Sequence, residues 1–76
     1  MTISADRLEV FTDRMANVTQ SSLFEAGGAT VTSAVDAVNE GMDQEEKFSA
    51  EEGMKGLEAM QERNLLMVSG KIVYTV

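Results

Sequence analysis

The carboxylates are the residues in this chain that could do chemistry. Asp43, Glu45, Glu46, Glu51 and Glu52 crowd into one short stretch, and Asp36 and Glu40 stand four apart, on one face if that stretch is helical. A calcium loop needs oxygen ligands at fixed spacing around a sharp turn, commonly with glycine at its sixth position. Counted from Asp43, the sixth residue is Phe48, so the pattern fails. A di-iron bundle needs glutamate followed three residues later by histidine, and the chain has no histidine. Paired carboxylates that move protons need one member raised by burial and a cleft for the substrate. A chain of 76 residues has little material for such a cleft. The serines lack the Gly-x-Ser-x-Gly elbow and a base to activate them. Gly27-Gly28 and Gly53-x-x-Gly56 lack the Gly-Lys-Ser/Thr ending of a phosphate loop. The residues therefore read as non-catalytic, with no metal and no cofactor, and the acids as a solvated face with a helix cap among them.

Composition narrows the classes further. With no cysteine there is no disulfide framework and no zinc or iron–sulfur site. Small domains bury only about 60% of the surface their unfolded chains expose, and they usually need a staple. Self-association or a partner protein is the staple left. Thirteen acids against six bases give a net charge of −7, with no basic stripe of the kind that engages phosphates. That balance points away from nucleic acid and from anionic membrane surfaces. The start, Met1 to Asp6, lacks the basic and apolar blocks of a secretory signal. The longest apolar run, Leu65 to Val68, is far short of the roughly 20 residues of a spanning helix. The expectation is synthesis in the cytoplasm with no membrane span, and export, if any, by a route independent of a signal peptide.

Three segments must carry these residues. Ser4 can cap a helix over residues 5–24, with Asp6 in its first turn and Leu8, Phe11, Met15 and Val18 on one stripe. Gly27-Gly28 punctuates the chain after it. Residues 30–40 are ambiguous: Val31, Ala34, Val35 and Val38 fit a helical stripe, although valine and threonine favour strands. Residues 39–48 read as a connection. Ser49-Ala50-Glu51-Glu52 is a capping box and starts a helix over 50–68. Helical phase runs on from Met54 through Leu57, Leu65 and Val68 to Ile72, with Met60 and Met67 flanking it. Against that, Ser69-Gly70 between two apolar runs resembles a hairpin turn. The fold class is thus mainly α. Two or three short helices form a helical hairpin or small bundle, and the tail 69–76 is helical or extended.

The tail Ile72-Val73-Tyr74-Thr75-Val76 is apolar and β-branched, and left exposed it would promote aggregation. Methionine is favoured at adaptable binding surfaces. The candidate interface is therefore Leu8, Phe11, Met15, Met54, Leu57, Met60, Leu65, Val68, Ile72, Tyr74 and Val76.

The last third, through Leu57, Met60, Gln61, Asn64, Leu65, Val68, Ser69, Lys71, Ile72 and Val73, resembles the C-terminal helix of type III secretion rod and needle subunits. The resemblance implies a small helical subunit that polymerises and is exported without a cleaved signal. The chain lacks the proline-containing turn usual in needle subunits. The functional expectation is a non-enzymatic subunit of a larger protein assembly or homo-oligomer. The alternative is a small acidic adaptor or inhibitor that binds a basic protein surface. Salt separates the two, since it screens charge contacts and strengthens apolar ones.

Overall fold

The computed structural model describes residues 3–24 and 28–75. Ser4 opens helix α1 (Ala5–Thr19), its hydroxyl accepting from the Arg7 backbone N–H at 3.2 Å. The stripe buries Phe11, Met15 and Val18. α1 stops at Thr19 rather than running to residue 24. The Ser21 backbone N–H and hydroxyl both bond the Val18 carbonyl, and this tightens the chain into a 3₁₀ turn (Ser22–Phe24). That turn carries Phe24 into the core. Gly27 lies outside the described residues.

A short strand β1 (Gly28–Thr30) leads directly into helix α2 (Val31–Asn39). Thr30 ends the strand and caps the helix, accepting from the Ser33 N–H at 3.1 Å. The ambiguous valine-rich segment is therefore helical over nine residues. After a connection that turns at Asn39–Met42 and again at Asp43–Lys47, Ser49 starts helix α3 (Ala50–Glu62) with a full capping box: its hydroxyl accepts from Glu52 N–H, and the Glu52 carboxylate accepts from Ser49 N–H.

α3 ends at Glu62, where a continuous helix through Val68 was expected. Asn64 takes a left-handed φ of 60°, and asparagine tolerates that region better than most residues. The chain then forms β2 (Leu66–Ser69) and β3 (Ile72–Thr75) around Ser69-Gly70, with Gly70 at φ 61°. β1 supplies what an isolated hairpin lacks, a third strand. The sheet is antiparallel in order β1-β3-β2, with Ala29 opposite Val73 and Val73 opposite Val68. The protein is mainly α with one small sheet.

The core joins all these elements: Phe11, Met15, Phe24, Val38, Phe48, Leu57, Met60, Leu66 and Val73 are among its buried members. Two glycines let α3 approach its neighbours closely. A Cβ on Gly53 would stand 2.5 Å from Val35, and one on Gly56 would stand 2.6 Å from the Phe11 ring. Among the described residues no helix is long and apolar enough to cross a membrane.

Candidate functional site

Helices α2 and α3 and the hairpin form the part of the molecule that presents organised surface. Their relative placement depends on three side chains that hold the long connection between the two helices. Arg14 of α1 donates to the carbonyls of Val38 and Glu40, both at 2.6 Å, at the end of α2. Asn39 grips Phe48 at both ends of its amide, donating to the carbonyl at 2.9 Å and accepting from the N–H at 2.8 Å. Arg7 donates to the Glu46 carbonyl at 2.9 Å and reaches the Lys47 carbonyl at 3.3 Å. The same guanidinium forks onto the Glu52 carboxylate at 3.0 and 2.9 Å and lies 4.3 Å above the Phe48 ring. Phe48 in turn meets Phe11 edge-on, with ring centres 5.1 Å apart. The hydrogen bonds from Arg7 hold the Glu52 carboxyl below its ordinary value of 4.5, against the opposing effect of burial.

Outward, α3 shows Glu51, Lys55, Glu58 and Glu62 at three- and four-residue spacing, one exposed stripe of three carboxylates and one ammonium. Lys55 and Glu58 approach to 3.7 Å. On the sheet, Met67 and Tyr74 are cross-strand partners with 56% and 41% of their surfaces exposed, and Leu65, two residues before Met67, is 49% exposed. Tyr74 also lies opposite Gly28, where an added Cβ would meet the Tyr74 ring at 2.9 Å. The free edge of β2 is partly closed, since the Val68 N–H donates to the Gln61 side chain at 2.6 Å.

The expected interface residues are therefore divided. Phe11, Met15, Leu57 and Met60 are spent on the chain's own core. Leu8, Met54, Val68 and Ile72 are half-buried, and Leu65 and Tyr74 are exposed. Val76 lies outside the described residues. Met67, the most exposed large apolar side chain among the described residues, is only a flank of the helical stripe in the sequence pattern. Period-two alternation with Leu66 and Val68 was the signal that marks it as outward-facing. The grips of Arg7, Arg14 and Asn39 left no pattern in the sequence, because they join residues 9 to 45 positions apart. The acids do not converge: among the described residues no group of three or more is placed to hold a metal ion.

Comparison with known proteins gives this geometry a context. The family model described as "MCM3-like, winged helix domain" matches residues 1–76. The chain is 28% identical over 76 residues to the DNA replication licensing factor mcm3 of Schizosaccharomyces pombe, covering 100% of this chain and 8% of that protein. No solved structure matches. The family match overturns the resemblance to type III secretion rod and needle subunits, and with it the readings of a self-assembling oligomer subunit and of export by a signal-independent route. The alternative of a small acidic adaptor or inhibitor finds no support either. The exclusion of nucleic acid is corrected as well, since that relative is a DNA replication factor. The net charge of a short chain does not decide what the assembly around it binds.

Proposed function

Because the chain belongs to the MCM3-like winged helix domain family, we propose that it serves DNA replication as the winged helix domain of an MCM3-like licensing factor. The observation that carries this reading is the family match along the whole chain. Three helices with a three-stranded antiparallel sheet are consistent with a winged helix, and the β2–β3 hairpin is then the wing. The domain's role in this reading is non-enzymatic: it holds its protein in place within a DNA-associated complex. α3 is not assigned to face phosphates there, because its outward stripe places three carboxylates where a groove-reading helix carries donors and bases.

The test is loss of the fold in the protein that carries it. Leu57 is fully buried, so Leu57→Asp places an unpaired charge in the core, whereas Leu57→Met keeps volume and polarity. Cells arrested before S phase and then released are followed by flow cytometry of DNA content. The expected result is delayed or incomplete DNA synthesis with the aspartate variant and normal progression with methionine. Normal progression with the aspartate variant, once circular dichroism has shown its fold lost, overturns the reading.

A further inference from the structure

The groove between α2 and α3 is an apolar recess that the core does not fill. Val31, Thr32, Val35 and Asp36 of α2, Phe48, and Ala50 and Met54 of α3 line it, and its volume is about 160 Å³. At about 30 Å³ per water that is room for roughly five waters, the scale of one medium-sized aliphatic side chain. Asn39 also borders the recess, but both ends of its amide are committed to the Phe48 backbone. Gly53 and Val35 set the depth, because their close approach brings the two helices together beneath the recess.

Three carboxylates stand around this recess, and the cations nearest them are Lys55, on the same α3 stripe, and Lys47, beside Phe48. Asp36 stands on its α2 side. On α3, Glu51 and Glu58 lie one turn to either side of Met54, at i−3 and i+4, and therefore flank the recess along the helix. Asp36 and Glu51 have no ion-pair partner among the described residues, and Glu58 has only the long, exposed contact with Lys55. An apolar recess with carboxylates on both its α2 and α3 sides disfavours a phosphate backbone. It also repels a second copy of this chain, whose net charge is −7. What it complements is an apolar side chain flanked by cations.

We propose that the α2–α3 groove docks a short helical segment of a protein partner. That segment places one leucine- or methionine-type side chain in the recess and a lysine or arginine a turn to either side, against Asp36, Glu51 and Glu58. The mode is a helix laid along a groove, with one apolar anchor for affinity and flanking charges for orientation. The inference stands on the groove alone, so it succeeds or fails independently of the role in replication.

The probe is a fluorescein-labelled, helix-forming peptide of about twelve residues, with one leucine and a lysine three or four residues to each side. Its anisotropy is titrated with the chain, and the contact is mapped by methyl and amide chemical shifts. Saturable binding is expected, with the largest shifts at Val31, Val35 and Met54. Leucine-to-serine in the peptide should abolish binding, and Glu51→Lys in the chain should weaken it about tenfold. Glu51 is exposed, so that variant keeps its fold. A peptide with glutamate in place of the lysine facing position 51 should then recover affinity for Glu51→Lys and lose it for the unaltered chain. No binding at millimolar peptide, shifts confined to other surfaces, failure of the charge exchange, or a DNA duplex shifting the same groove residues would each overturn the proposal.

Discussion

Gly56→Ala offers a sharp test of how α3 packs. In an exposed helix interior, glycine-to-alanine stabilises by about 1 kcal/mol, because the helix no longer fixes an unusually free backbone. At position 56 the new methyl would stand 2.6, 2.8 and 3.0 Å from three atoms of the Phe11 ring. The ring cannot move aside at low cost. It is fully buried and locked edge-on against Phe48, which itself lies beneath Arg7. Overpacking of this kind costs about 1–3 kcal/mol. Because two of the three contacts fall below 3 Å against a rigid ring, the upper half of that range applies, and the net effect is a loss of about 1–2 kcal/mol. In a domain of this size each kcal/mol moves Tm by about 4–8 °C. Thermal unfolding followed by circular dichroism should therefore show Gly56→Ala melting about 4–16 °C below the unaltered chain. Phe11→Leu should cost less in the Gly56→Ala background than alone, since the smaller side chain vacates the contested space. An unchanged or raised Tm for Gly56→Ala would refute the argument, because propensity would then outweigh a contact that is absent or soft.

Other outcomes follow from the grips described above. Glu52→Gln removes the charge held by Arg7. The unaltered chain should lose stability as pH falls below about 4.5, through the lowered pKa of Glu52, and the glutamine variant should lose less over that interval in urea unfolding at stepped pH. Asn39→Ala leaves two backbone groups of Phe48 without their partners, so the melt should fall by the equivalent of about 1–3 kcal/mol, with Asn39→Asp intermediate because it can still accept. Gln61→Ala frees the Val68 N–H on the edge of β2, and light scattering at high concentration should show faster association with little change in Tm.

Local chemistry was the legible part of the sequence. Ser4 and Ser49 act as caps because a hydroxyl three residues from a free N–H is a nearest-neighbour event, and Phe11, Met15 and Val18 face inward because 3.6-residue spacing allows no other common face. The segment after Glu62 was misread for a physical reason. Met54, Leu57, Leu65, Val68 and Ile72 keep helical phase by coincidence, while strand pairing depends on Gly28–Thr30, more than thirty residues away and too short to announce itself. Without that third strand, a hairpin at Ser69-Gly70 looked marginal. The candidate site was less legible still. Met54 appeared as one member of a long stripe, yet it borders a groove whose other wall, Val31 and Val35, belongs to a segment whose helicity was in doubt.

The two arginines of α1 have a consequence for how the molecule opens. Neither is spent on advertising positive charge; Arg7 reaches the Glu46 and Lys47 carbonyls of the α2–α3 connection, and Arg14 the Val38 and Glu40 carbonyls where α2 gives way to it. A surface connection of this length would ordinarily exchange its amide protons at the rate of a loose loop. Here it cannot lift without breaking the hydrogen bonds of two α1 side chains, and α1 cannot undock without releasing the connection. The helix and the connection are therefore expected to open together in amide exchange, as one unit of local unfolding.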